Sequence, residues 1–236
     1  QCISMLNAAQ RPVIIIGNGV RLADAVDKFL DLANILAIPV LTSWNAIDII
    51  PTDYPDCIGR PGLCGDRAGN FAVQNSDLVL AIGTRLSIPQ IGHNSALFAR
   101  EAKLIVVDID GHEANKSTLR TDLAIVADAG DFLSEFKRQY PEEIVKGAAP
   151  RISWFWHCQD WKRRYPVMQP EYRTVETGVN SYHFVEELAK HLDDDAIIVT
   201  DVGAGFISPM QSMPIKRGQR MFHSGGVSAM GYGLPA

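Results

Sequence analysis

The sequence predicts an α/β fold, a doubly wound parallel sheet (Rossmann-like) followed by the start of a second, and three observations carry that prediction. Short apolar, β-branched runs recur along the chain. Amphipathic helical stretches separate them, and each run stops at small residues mixed with hydrogen-bonding ones. Runs that are apolar throughout, rather than alternating, fit strands buried on both faces, which is the habit of parallel sheets. Strand alternating with helix builds βαβ units.

The strand runs in order are PVIIIG (Pro12 to Gly17), PVLTS (Pro39 to Ser43), LVLAIG (Leu78 to Gly83), KLIVVDID (Lys103 to Asp110) and AIVA (Ala124 to Ala127). Between the first two, LADAVDKFLDLANIL sets Leu22, Val26, Phe29, Leu30, Ala33 and Leu36 on one side of a single helix. Residues 1–140 are therefore expected to form one sheet domain. Residues 141–178 hold prolines, charges and the aromatic segment WFWHCQDWKRRYP, which predicts a linker with one helix whose aromatics dock on a neighbour. From residue 179 a second βα pattern begins. SYHFVEELAKHL is a helix capped by Ser181, AIIVTDVG (Ala196 to Gly203) a buried strand, and MFHSGG another short strand. The roughly 55 residues after Asn180 are too few to complete a parallel-sheet domain. The expectation is a truncated second domain, residues 179–236, in a chain that is part of a longer protein.

Composition narrows the function. The 236 residues are 47% hydrophobic and 21% charged, with a net charge of -5, an ordinary globular balance. No basic cluster is dense enough to track a phosphate backbone, so nucleic acid is not an expected partner. No apolar run approaches the ~20 residues of a membrane span. The N-terminus lacks a signal-peptide layout, and a cytoplasmic location is expected. Cys2, Cys57, Cys64 and Cys158 form no CxxC pair, and the six histidines no HxxxH pair. Reduced thiols are expected, and no metal site built by this chain alone.

Open parallel sheets bind ligands beyond the carboxyl ends of their strands, so the strand ends form a set. They are Gly17-Asn18-Gly19, Thr42-Ser43-Trp44, Gly83-Thr84-Arg85, Asp108-Ile109-Asp110 and Asp128-Ala129. Each element alone has a plain structural explanation. Gly17 and Gly19 make a tight turn as readily as a phosphate site, and the third glycine of the dinucleotide fingerprint is missing. Asp108 either bonds a ribose hydroxyl or caps a helix, and Arg85 pairs either a phosphate or a surface carboxylate. Together, at the ends of one sheet, they favour a nucleotide-type ligand.

The chain closes on SGGVSAMGYGLPA, and with RPVIIIGNGV, NSDLVLAIGTRLS, AKLIVVDIDG, VADAGDFL and IIVTDVG it resembles the acetolactate synthase group of thiamine-diphosphate enzymes. The resemblance covers nearly the whole chain. It implies a central domain, which in many members holds FAD, and the start of a C-terminal diphosphate-binding domain. The closing stretch is the most specific match, a glycine-rich run, a bulky apolar residue, then Gly-x-Gly-Leu-Pro-Ala. By that match Met230 sits under the cofactor and forces it into a bent shape, so that its own amino group works as an internal base. The backbone carbonyl of Ser228 accepts a hydrogen bond from that amino group. Gly203, Ala204, Gly205 and Gly226 lie at the diphosphate end. Many synthases have Gln-His where this chain has Ala204-Gly205, and Gly59 to Ala72 and RLSIPQIGHN also depart from the common pattern.

The resemblance further implies thiamine diphosphate, magnesium with ligands outside this chain, FAD as an optional structural cofactor, and a homodimer or homotetramer. The glutamate acting on the pyrimidine and the magnesium motif belong to parts beyond this chain, which alone should be inactive. The expected reaction is carboligation: a 2-keto acid such as pyruvate is decarboxylated and its two-carbon unit joined to a second carbonyl. Two alternatives are a synthase-like enzyme adding that unit to a nucleotide keto sugar, and a non-catalytic FAD- or NAD-binding module. The module would not need the closing stretch.

Overall fold

β1 (Pro12–Ile16) has no exposed residue, and its surroundings explain why. The computed structural model describes residues 1–140 and 149–236; the first part of the expected linker, 141–148, lies outside the described residues. β1 belongs to a sheet with β2 (Val40–Thr42), β3 (Cys57–Gly59), β4 (Leu78–Ile82), β5 (Lys103–Asp108) and β6 (Leu123–Val126). All neighbours pair in parallel, in the order β3-β2-β1-β4-β5-β6. β3 answers to no apolar run in the sequence. It is three residues long, and its register against β2 is irregular.

Side chains alternate across a strand, and here both faces are covered. Ile14, Ile16, Leu80 and Val107 pack on one side with α3 (Val26–Leu36) and α7 (Ala129–Gln139). Val13, Ile15, Val79 and Val106 pack on the other with α4 (Arg67–Asn75) and α8 (Ala149–Arg164). Trp154 of α8 is buried there and its indole N–H donates to the Pro12 carbonyl at 3.0 Å. The aromatic helix thus closes a face of this sheet. β6 differs from the expectation of a buried strand. At the sheet edge it keeps Val126 exposed.

Two local readings need correction. The helix expected from Leu22 to Leu36 is two: α2 (Gly19–Leu22) and α3. The chain turns between them at Asp24, whose φ is +50°, a conformation Asp tolerates better than most residues. Leu22 is consequently 81% exposed rather than on the core face. Ser181 does not cap α9 (Ser181–His191). Asn180 does, accepting the N–H of Tyr182 at 2.9 Å. Ser181 Oγ instead shares a 2.7 Å hydrogen bond with Ser208.

β7 (Ile197–Thr200) and β8 (Arg220–His223) form a second, two-stranded parallel sheet. α9 and α10 (Ala204–Ser212) pack with it through Val185, Ala189, Phe206, Met210 and Met221, and Ile47 from the first region joins that core. The expectation of a buried strand fails for β7: Ile197 is 69% exposed, and among β7 residues only Thr200 is buried. Among the described residues, no helix is long and apolar enough to cross a membrane.

Candidate functional site

The strand order reverses between β1 and β4, where consecutive crossovers leave in opposite directions and a crevice opens. The loops after these strands meet. Gly17 N–H donates to the Ile82 carbonyl and Gly19 N–H to that of Gly83, both at 2.9 Å. A Cβ on Gly19 would stand 2.7 Å from Gly83 Cα, and one on Gly17 would overlap the Gly83 carbonyl. Glycine is needed here because two backbones touch.

A cleft of about 930 Å³ lies over this junction, within the size range of small-molecule sites. Of the residues singled out in the sequence, Asn18, Gly19, Gly83, Thr84, Arg85, Asp108, Ile109, Ala129 and Gly226 line it. Gly17, Thr42, Asp110 and Asp128 are not on its wall. Several have local duties. Asp110 caps α6 (Gly111–Ala114) by accepting the His112 N–H, and Asp128 caps α7 by accepting that of Gly130, each at 2.8 Å. Asp108 is nearly buried and accepts the Asp110 N–H at 2.9 Å. Thr84 Oγ1 donates to Gln90 at 2.9 Å, and Arg85 makes an exposed ion pair with Glu113 at 2.6 Å. Thr42 closes β2 with its hydroxyl buried and lacking a partner among the described residues.

The other group gathers at the end of β7. Gly203, φ +67°, precedes the first turn of α10, to which Ala204 and Gly205 belong. Asp201 reaches across to the closing run, accepting the N–H of Gly231 at 2.9 Å and of Gly233 at 3.4 Å. Nothing lies within 4 Å of a Cβ built on Gly203, Gly205 or Gly226. Ser228 has φ +52° and donates its N–H to Ser224 at 2.7 Å. Met230 is 88% exposed.

Three rings join the two groups, a meeting that no contiguous motif announces. Trp44 follows β2, Phe206 is on α10 and His223 ends β8. The Trp44 and Phe206 centroids are 5.0 Å apart, and those of Phe206 and His223 4.7 Å. Trp44, His223 and Gly225 line the same cleft as the first sheet's strand ends. Burial pushes the His223 imidazole below its ordinary 6.5, against a smaller opposing effect of the Trp44 backbone. Its Nδ1 accepts the Gly225 N–H at 2.9 Å. Among the described residues, His183, Glu186 and Glu187 are spaced as metal ligands are. Arg173 and Lys190 already pair those two glutamates at 2.5 and 2.6 Å.

Comparison with known proteins decides the family. Residues 1–136 match the family described as thiamine pyrophosphate enzyme, central domain. This chain belongs to the thiamine pyrophosphate enzyme family. It is 34% identical over 233 residues to the acetolactate synthase isozyme 1 large subunit of Escherichia coli (strain K12), a match covering 99% of this chain and 39% of that protein. It is 30% identical over 237 residues to an acetolactate synthase of Mycobacterium bovis, covering 100% of this chain and 38% of the relative. A probable acetolactate synthase large subunit of Methanocaldococcus jannaschii is 30% identical over 239 residues, with 98% of this chain and 39% of that protein covered. The chain therefore spans less than two-fifths of the length of these relatives. The likeness continues through the β7 end and the closing run, past the part matched to the central domain.

Proposed function

We propose that the protein containing this chain is a thiamine-diphosphate-dependent carboligase of acetolactate synthase type. It takes a 2-keto acid such as pyruvate, releases carbon dioxide and joins the two-carbon unit to a second carbonyl. The observation that carries this reading is Asp201: by holding the N–H groups of Gly231 and Gly233, it keeps the closing run beside Gly203 and the start of α10.

The residues fit the cofactor. The first turn of α10 presents unpaired backbone N–H groups, a setting suited to a diphosphate. The open space about Gly203, Gly205 and Gly226 lets a ligand approach the backbone closely. These residues would hold the diphosphate end, Met230 would support the bent form, and the Ser228 carbonyl would accept the amino group's hydrogen bond. When bound, thiamine diphosphate supplies the carbanion that adds to the 2-keto acid. Magnesium is assigned to ligands outside residues 1–236. The cleft over the β1–β4 junction suits FAD in a structural role, with Asn18, Thr84, Asp108 and Ile109 on its wall. Two or four copies are proposed to assemble, as the family resemblance implies, in the cytoplasm.

The test uses the full-length protein. Thiamine diphosphate with magnesium should quench its intrinsic fluorescence and raise its melting temperature, and pyruvate should yield carbon dioxide. A protein unmoved by the cofactor at millimolar concentration overturns the reading.

A further inference from the structure

The segment after β3 contains a buried arginine that the cofactor chemistry does not use. Arg60 is 7% exposed. Its Nη1 donates to the Met210 carbonyl at 2.8 Å, and its Nη2 to the Met213 carbonyl at 3.0 Å and to Thr52 Oγ1 at 3.2 Å. Met210 lies in the last turn of α10 and Met213 just past it. A guanidinium there meets unpaired carbonyls at the negative end of a helix. Among the described residues no carboxylate forms a salt bridge with the Arg60 guanidinium: these three oxygens take its hydrogen bonds, and the buried Asp66 carboxylate favours its charge only from beyond contact.

α10 needs such support. Pro209 inside it has no N–H, and one internal hydrogen bond is missing. The loop adds a second hold, since Gln211 Nε2 donates to the Cys64 carbonyl at 2.7 Å. The loop itself is anchored: Asp66 accepts the Arg60 N–H and the Gly69 N–H, both at 2.6 Å. Between these contacts Pro61 reaches the wall of the large cleft.

We infer that Arg60 is a positioning residue: by fixing the C-terminal carbonyls of α10 to the first region, it sets where the helix's N-terminus and Gly203–Gly205 stand. This rests on the functional reading above, in which that N-terminus receives the diphosphate. The helix transmits the constraint because, despite the bond lost at Pro209, it runs unbroken for nine residues, about 13 Å.

The experiment titrates full-length wild type, Arg60→Met, Arg60→Lys and Leu36→Ala with thiamine diphosphate and magnesium, followed by fluorescence, with melting of each apo protein alongside. Leu36→Ala truncates the other region's core, so it lowers the melting temperature without touching α10. Arg60→Met weakens cofactor affinity about tenfold, within the range of ordinary site-to-site coupling; Arg60→Lys, keeping a donor, weakens it less, and Leu36→Ala leaves it unchanged. Wild-type affinity in Arg60→Met overturns the inference, whatever its melting temperature. If Arg60→Met does not fold, Arg60→Lys decides: reduced affinity supports the role and wild-type affinity removes it. A wild type that fails to bind the cofactor overturns the functional reading instead.

Discussion

Gly83 and Gly203 invite comparison. Each stands where a strand gives way to a loop and then a helix, and each has positive φ, +59° and +67°. Around Gly83 a Cβ would meet the backbone of Gly19 and Val20 at 2.9 Å, while around Gly203 nothing lies within 4 Å. The first glycine is demanded by protein packed against protein. The second leaves room, and in the proposed function a ligand fills it. The wider surroundings differ in the same way. β1 is sealed by helices on both faces, whereas Ile197 on β7 is open. A glycine after a strand thus has two distinct causes, which the sequence writes identically.

The largest effect that tests this contrast belongs to Met230. Met230→Ala in the full-length protein should lower turnover at least about 100-fold, near 3 kcal/mol of barrier, and leave the apo melting temperature almost unchanged. A buried methionine truncated to alanine costs about 2–5 kcal/mol. A large loss of apo stability with near-normal decarboxylation would make Met230 core and undo the contrast.

Next comes the glycine pair itself. Gly83→Ala combines left-handed strain with a backbone clash and should destabilise by about 3 kcal/mol. Gly203→Ala carries backbone strain alone, about 2 kcal/mol at its φ of +67° and ψ of -139°, and should weaken thiamine diphosphate binding more than it lowers stability. Urea melts and cofactor titrations of both variants measure this. Equal destabilisation would show that the two sites are packed alike.

The smallest effect concerns His223, where the regions meet. Its folded-state imidazole lies below 6.5, so the stability it contributes is present above that pH and lost as pH falls through the folded value. Protonation also removes the acceptor for the Gly225 N–H. Hydrogen exchange should show Gly225 losing protection, by well under tenfold, between pH 7 and pH 5. Protection that stays constant over that range would detach the closing run from His223.

The first region was legible because burial on both faces leaves only apolar, β-branched residues along β1, β4 and β5, and that repetition is visible without coordinates. β3 was not legible, since three residues cannot display a pattern. The break at Asp24 was missed because the apolar spacing continues through it. Ser181 and Asn180 are both good capping residues side by side, and only the backbone at Asn180 chose between them.

The sequence by itself determined the layered α/β fold, the glycines at strand ends and the family likeness of the closing run, all of which are written in short, contiguous patterns. Tertiary structure alone decided which of those residues share a cleft, that Asp108 is nearly buried while Arg85 pairs with Glu113, and that Trp44, Phe206 and His223 meet. It also decided that Arg60 holds α10, 150 residues away along the chain. Periodicity records which face of an element is apolar. It carries no record of which distant carbonyl a lone arginine will find, because that depends on how whole elements pack.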